Sequence, residues 1–444
     1  MPTVCVIGAG AAGLAAAQRL SERGADVVVI EARDRIGGRV WTLYPESLSV
    51  PVELGAEFLH GDTPELNELA SNAGLRTVDI AGRRWTGAKG ELRVMDDFWE
   101  RLDGVMRRLS EKREPDRSFA DALAHMRSLE ASDRRLAVQY VEGFHAADTA
   151  RISERSLAEG GSPRDDVRER RIGRVAEGYG RLMDALAQSA LDRIRLGRIA
   201  TDVRWRPGGA RVSTTDAAGG SGEVIEARAV VVTIPLGVFQ TPPGVRGGVR
   251  FDPPLRAKQR AAAQLVMGDV VRVALQLDEP FWVTEQFAKR IGDERFDTLS
   301  FLHSQTQRAV AFPVWWTQYP VRAPLLVAWR GGPPAKAMAS RSRDDVVGAA
   351  IASLASLFAM SRRAIERHVV ASFTHDWIND PFSRGAYSYA AVGGDTASRT
   401  MARPVEGTLF FAGEHADAEG RNGTVHGAMA SGWKAADQVL RALE

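Results

Sequence analysis

Cysteine is all but missing from this chain: Cys5 is the single thiol among 444 residues. One thiol closes no intrachain disulfide, so the fold must rest on its core, and the expected setting is a reducing cytoplasm. Lysine is scarce as well, and Arg makes up most of the 58 basic residues. The arginines are interleaved with acids, as in Glu111-Lys112-Arg113-Glu114, and the net charge is only +2. Without a basic stripe, nucleic-acid binding is not expected. No run approaches the roughly 18 uncharged apolar residues of a membrane-spanning helix. With an apolar strand pattern starting at Thr3, no secretion signal is expected. Glycine and proline, at 43 and 20 residues, are too few for a low-complexity chain. His125, His145, His303 and His368 show no metal-ligand spacing, so no metal site is expected. The G-x-S-x-G of a hydrolase nucleophile is also absent.

The length suits two closely packed domains. At the start, Thr3 to Ile7 reads as a buried strand, Gly8 to Gly13 as a glycine turn, and Leu14 to Arg23 as a helix stopped at Gly24. Val27 to Ile30 is a second apolar strand that ends in Glu31. This is a βαβ unit, which predicts a parallel sheet. From Asp62 to about Leu191 helical spacing dominates, over Pro64–Ala73, Asp96–Leu109, Phe119–Met126 and Asp133–Phe144, with a charged connector from Ser162 to Arg174. Strands return at Ile194–Leu196, Val203–Arg206, Arg211–Thr215, Val224–Ile234, Val270–Leu277 and Leu325–Trp329, and a helix is expected over Asp344–Phe358. The strand Thr408–Ala412 and the helix Val425–Leu443 close the chain. The fold class expected is α/β (α+β overall). A Rossmann-like dinucleotide domain (1–85, 175–255, 385–444) interweaves with a mixed-sheet and helical substrate domain (86–174, 256–384).

Gly8-Ala9-Gly10-Ala11-Ala12-Gly13 is a G-x-G-x-x-G in its strand–turn–helix setting. Gly8 permits the turn, Gly10 lets backbone approach a pyrophosphate, and Gly13 lets helix and strand pack closely. The anion then meets the positive helix N-terminus. Glu31 stands where a carboxylate accepts ribose hydroxyls. Four further stretches decide between cofactors. They are Glu31-Ala32-Arg33 with Gly37-Gly38-Arg39, Glu53-Leu54-Gly55-Ala56-Glu57-Phe58-Leu59-His60-Gly61, Trp377 to Tyr389, and Phe411-Ala412-Gly413-Glu414 with Gly423-Thr424-Val425-His426-Gly427-Ala428. In these residues and their order the chain resembles the flavin-containing amine oxidases, across nearly its whole length.

The resemblance implies FAD as cofactor. Glu31 would hold the adenosine ribose, and Arg33 and Arg39 would meet the diphosphate region. Gly55 and Ala56 would line the isoalloxazine, and Val203 would touch adenine through its backbone. Glu414 would bind the ribityl or pyrophosphate portion, and Thr424 and Val425 would face the flavin pyrimidine. Ala32, Gly38, Glu57, Trp377, Gly413 and Ala428 would be further cofactor contacts. The helix from Val425 would aim its positive end at the ring, where negative charge gathers on reduction. Relatives that tether flavin use a Cys where this chain has Ala386, so non-covalent binding is expected.

The implied reaction is hydride transfer from a carbon next to an amine nitrogen to flavin N5. The imine then hydrolyses, and reoxidation by oxygen gives peroxide. A small amine, and oxygen or another acceptor, are the expected partners of a monomer or homodimer. Tyr387 matches the family's flavin-facing aromatic, and Thr424 replaces its usual second ring. His60 falls near the expected pocket, and Glu57 could pair with a substrate ammonium. Phe144, Trp315 and Trp316 are candidate pocket walls, with a core role as the alternative for each. Arg272 stands where the family normally carries a Lys that assists oxygen; Arg keeps its charge but brings a planar fork. Strand alternation sets Arg272, Ala274 and Gln276 on one face, so a solvated face is its alternative. Arg272 could also meet a substrate carboxylate or mark a different electron acceptor. A flavin dehydrogenase or desaturase, an amino-acid oxidase, and a flavin-binding protein without turnover remain the other readings.

Overall fold

The computed structural model describes residues 3–61, 63–159, 171–305 and 310–444. Most of the expected charged connector therefore lies outside the described residues. Strand β1 (Val4–Ile7) is wholly apolar and buried, helix α1 (Ala11–Glu22) follows the glycine turn, and strand β2 (Val27–Ile30) is again fully buried. β1 pairs in parallel with β2 on one side and with Ala229–Val232 on the other. Ile194–Arg195 extends the sheet beyond β2, and Leu409–Phe411 closes its other edge, giving five parallel strands. Burial on both faces explains the unbroken Val/Ile runs.

One face carries α1 and the C-terminal helix Val425–Leu443 over Val4, Val6, Leu14 and Val439. The other is covered by a four-stranded sheet that packs Val203, Val212 and Ile225 on Cys5, Ile7 and Val230. Each such fully buried aliphatic side chain contributes roughly 1.5–3 kcal/mol.

Close approach is what the glycines secure. Gly8 takes φ +107°, a conformation that side-chain-bearing residues avoid. A Cβ on Gly13 would lie 1.8 Å from the Gly8 carbonyl oxygen, and one on Gly432 would lie 2.2 Å from that of Ala12. Backbone thus meets backbone where β1, α1 and the last helix cross.

The second lobe is built on a seven-stranded sheet. Its order is Val369–Phe373, Val270–Leu277, Leu325–Gly331, Val314–Trp316, Leu299–Ser304, Arg83–Ala88 and Glu91–Val94. Helix Arg343–Leu357 covers one face, burying Ile351 and Leu354 against Val273, Leu275 and Trp315. Helices Phe98–Met106, Phe119–His125 and Ala131–Phe144 form a separate cluster around Leu102, Phe119 and Val141. Among the described residues no single helix is long and apolar enough to cross a membrane.

Two expectations need correction. Arg83–Ala88 and Glu91–Val94 are strands inside the stretch that reads as mostly helical. The first pairs in parallel with Leu299–Ser304, a partner more than two hundred residues away that local periodicity cannot reveal. The run Val224–Ile234 is two strands in different sheets. Ser221–Ala227 ends before Arg228, whose N–H bonds the Thr3 carbonyl, and Ala229–Val232 then enters the parallel sheet.

Within the first lobe, buried Glu53 ties the Thr42 segment to the start of helix Gly180–Ala187. It accepts from the Thr42 hydroxyl at 2.6 Å and from the Tyr179 N–H at 2.7 Å. Burial pushes its pKa up from 4.5 to about 7, against the pull of those two donors.

Gly13→Ala is expected to destabilise the protein by about 3 kcal/mol or more, because the crowded partner is backbone and cannot swing away. A thermal melt beside the wild type checks this. Glu53 takes up a proton on folding, since its folded pKa lies above its unfolded one. Stability should therefore fall as pH rises from about 4.5 to about 7, by up to about 3 kcal/mol, and stay level above. Glu53→Gln, which mimics the protonated carboxyl, should match the wild type near the lower limit and exceed it near pH 8. Urea denaturation across that range reads the difference.

Candidate active site

A single continuous cavity of about 950 Å³ runs from the β1–α1 turn into the second lobe, the upper end of the ~300–1,000 Å³ usual for ligand and cofactor sites. Its first arm is built largely from backbone and small residues: Gly8, Gly10, Ala12, Ala32, Gly38, Gly55, Ala56, Gly413 and Ala428 all line it. A Cβ on Gly10 would meet nothing nearer than 3.9 Å, so this backbone faces open space beside the α1 N-terminus. Gly13 lies behind the wall in its packing role. Glu31 closes this arm at the end of β2, accepting from the Ala9 and Arg33 N–H groups at 2.8 and 2.9 Å.

The arginines of this arm are held firmly. Arg33 donates to Asp380 at 2.8 Å and to the Ser383 hydroxyl at 2.7 Å. Arg39 donates to Glu414 at 2.9 Å and to the Ala386 carbonyl at 2.7 Å. Glu414 also accepts from the Ser388 hydroxyl and the Gly423 N–H. Burial would raise the Glu414 pKa, but Arg39 and these donors keep it below the usual carboxylate value. Thr424 caps the last helix, accepting from the Gly427 N–H at 3.0 Å, and Val425 begins the helix at the cavity wall. Trp377 lines the same arm and donates its indole N–H to the Leu54 carbonyl at 2.8 Å.

Where the lobes meet, Glu57 takes the centre. It accepts from Arg174 at 2.7 Å, Arg272 at 2.5 Å and the Trp316 indole at 3.0 Å. Burial alone would raise its pKa, yet the two guanidinium charges bring it below the ordinary value. Glu57 is thus already neutralised by the protein, contrary to the expectation that it pairs with a substrate ammonium. Arg272 is buried, 3% exposed, so its strand face is not solvated. It also donates to the Gly55 carbonyl at 3.2 Å, while its Nε–H finds no acceptor. The substrate-carboxylate role considered for Arg272 is therefore already filled by Glu57.

Beyond this point the cavity widens into an aromatic chamber. Tyr387 donates its hydroxyl to the Phe144 carbonyl at 2.7 Å, and burial raises its pKa. Phe144 stacks on Tyr140 at 5.0 Å and meets His60 edge-on at 5.2 Å. Phe58 reaches both His60 and Trp316. His60 is driven down to about 4 by burial and by His426, and burial takes His145 to about 4 as well. Both imidazoles are neutral at neutral pH.

Besides Gly13, two expected residues fall outside the cavity. Trp315 is 1% exposed in the core of the second lobe, donating to the Phe312 carbonyl, because strand alternation turns Trp316 inward instead. Val203 is buried between the two sheets of the first lobe, and Arg198, Ile199 and Ala200 line the wall nearby. Phe144, 43% exposed, forms wall rather than core. Sequence reading missed Arg84, Arg174, Tyr140 and His303 as lining or bracing groups. They carry no motif, and their neighbours come from distant segments.

The backbone-lined arm fits a dinucleotide cofactor: it offers two helix N-termini, an acid at the β2 terminus and space beside Gly10. The profile of the family described as flavin containing amine oxidoreductase matches residues 11–440. Polyamine oxidase 4 of Oryza sativa subsp. japonica is 30% identical, over 99% of this chain and 89% of the rice protein. Polyamine oxidase 2 of Arabidopsis thaliana is 29% identical over 100% and 89%. Two solved structures share the fold. Cyclohexylamine oxidase from Brevibacterium oxydans IH-35A has a TM-score of 0.80 at 21% identity, covering 100% of this chain and 99% of its own. Wild-type putrescine oxidase bound to putrescine has a TM-score of 0.79 at 22% identity, covering 99% of each chain. The sequence motifs, the two-lobed fold and these likenesses agree: the chain belongs to the flavin-containing amine oxidoreductases.

Proposed function

We propose that this protein binds FAD non-covalently and oxidises the C–N bond of a small amine, the resulting imine hydrolysing to a carbonyl compound and oxygen taking the electrons to give hydrogen peroxide. The observation that carries this reading is the continuity of one cavity from the dinucleotide turn to an aromatic chamber. FAD, when bound, supplies the two-electron acceptor.

Glu31 is placed to take ribose hydroxyls, and the N-terminus of α1 with Gly8 and Gly10 to take the diphosphate. Gly55 lets its backbone close on the Arg39 carbonyl, and the small Ala56 beside it would leave room for a flat ring; the N-terminus of the helix from Val425 would stabilise negative charge there. Two features support non-covalent binding: Ala386 has no nucleophile, and Cys5 is buried in β1 with its pKa pushed up to about 12.

Tyr387, Phe144 and Trp316 shape the chamber and admit a cation by its ring faces. The wall chemistry then favours the neutral amine. Glu57 is already compensated, His60 and His145 are uncharged, and desolvation lowers an ammonium pKa. An uncharged amine keeps the lone pair that a departing hydride requires. Arg272 brings a fixed positive charge and an unpartnered Nε–H to the junction of the two arms.

Mixed anaerobically with the purified yellow protein, at least one small amine should bleach the flavin absorbance. Admitting air should restore it and release peroxide. Failure of every amine in a broad panel would remove the proposed activity. For Arg272→Lys, reoxidation by oxygen should be faster by roughly tenfold or more, because a compact ammonium can hold a water that a paired guanidinium cannot. Equal rates in stopped-flow reoxidation would take Arg272 out of the oxygen chemistry.

A further inference from the structure

Arg84 is the one guanidinium of the chamber without an anion beside it among the described residues. Its strand, Arg83–Ala88, turns it toward the cavity, and its neighbours are rings. The guanidinium carbon lies 4.7 Å from the centroid of Phe98, 5.3 Å from Trp99 and 4.5 Å from Phe301. Rings over a guanidinium plane satisfy its faces; the N–H donors point outward in the plane and remain to be used. Arg84 is half-buried, so its charge is partly desolvated and its unused donors favour an arriving acceptor.

Two further polar groups converge on the same place. His303 lines the cavity with its ring 5.4 Å from Phe98, and its Nε2 is buried without a partner. Tyr140 lines the cavity too, and its hydroxyl makes no hydrogen bond to another described residue. Arg84 acts electrostatically on both. Burial lowers the Arg84 pKa to about 10, so it stays charged at neutral pH. Asp103, which also acts on Tyr140, is paired with Arg107 at 3.7 Å and does not line the cavity.

Position fixes which part of a substrate could use this group. Trp316 and Phe301 stand between Arg84 and Arg272. The ring centroid of Trp316 is 5.2 Å from Arg272 and 6.3 Å from that of Phe301. Arg84 thus belongs to the end of the chamber away from the lobe junction. We infer that Arg84, with Tyr140 and His303, binds a carboxylate at the far end of the substrate, so that the preferred substrate is an amine whose distal terminus is anionic.

The inference deepens the amine-oxidation reading and rests on it. It also separates this chain from the diamine specificity that the name of one structural neighbour implies. The distal ammonium of a diamine would face Arg84, and among the described residues no carboxylate pairs with Arg84 to offset the repulsion.

The test compares an ω-aminoalkanoate, the n-alkylamine and the α,ω-diamine of equal length, over a series of lengths, with wild type, Arg84→Met and Arg84→Lys. In the wild type, kcat/KM for the best ω-aminoalkanoate should exceed that of its matched alkylamine by about 10–100-fold, with the diamine lowest. Arg84→Met should lose that advantage, mainly through KM, while alkylamine turnover changes by less than about twofold. Arg84→Lys should recover part of it. A simple alkanoate, which cannot be oxidised, should perturb the flavin absorbance on binding wild type but not Arg84→Met. Preference for alkylamines or diamines throughout the series overturns the inference, as does an equal loss for charged and uncharged substrates in Arg84→Met. If alkylamines or diamines reduce the flavin without any gain from the carboxylate, only the inference fails. If nothing reduces it, the amine-oxidation reading fails, and alkanoate binding still decides for or against an anion site at Arg84.

Discussion

Glu57 accepts hydrogen bonds from Arg174, Arg272 and Trp316, which arrive from three separate stretches of chain. Glu57 itself lies in the Gly55-Ala56-Glu57 segment that runs along the cavity from the first lobe, and Arg272 and Trp316 belong to the seven-stranded sheet of the second. One buried carboxylate therefore fixes the distance and angle between the arm suited to a cofactor and the chamber suited to a substrate. Two cations around one anion would be poor design for stability alone, because each buried charge must be desolvated. Removing a single partner is nonetheless costly, by about 3–5 kcal/mol, since it leaves the others uncompensated. The arrangement gives geometric definition where the two functions of the cavity meet.

Charge along the cavity follows from that knot. Glu414 is compensated by Arg39, and Glu57 by two arginines. The chamber histidines are held neutral by burial. Around Glu57 two guanidiniums face one carboxylate, so the junction keeps a net positive charge, and the Nε–H of Arg272 has no acceptor. A positive junction with neutral bases lowers the pKa of a bound ammonium and favours the uncharged amine. Electron flow from nitrogen to an acceptor ring needs that form. The field of the walls thus does work that a dedicated general base would otherwise perform.

Legibility in the sequence divided along the same line. β1, α1 and β2 could be read because their signals are local: apolar runs, a glycine turn, a terminal acid. The helix Val425–Leu443 and the strand Val270–Leu277 could be bounded to the residue. Arg83–Ala88 could not, because its place in a sheet depends on a distant parallel partner, and neighbouring periodicity is helical. Trp315 and Trp316 are adjacent aromatics whose facing depends on pleat phase, which a three-residue strand does not declare. Val203 was expected to meet the cofactor through its backbone; its strand was legible, but the cavity wall is made by Arg198, Ile199 and Ala200 at the start of that strand.

The two arms differ in what builds them, and this explains why only one announces itself. The cofactor arm is made of backbone: glycines whose added Cβ would strike a carbonyl, and N–H groups at helix starts. Backbone constraints act on residues close together in the chain, so they leave compact motifs. The substrate chamber is made of side chains projected from strands and helices far apart in sequence, each held by its own packing. Phe98 and Trp99 come from one helix, Tyr140 and Phe144 from another, and Arg84, Phe301 and Trp316 from three strands. Any one of these can change without disturbing the others' backbone. A fold partitioned in this way can keep one redox group in place while its substrate end is recast residue by residue. Substrate preference is therefore carried by unpaired side chains such as Arg84, outside the motifs that define the family.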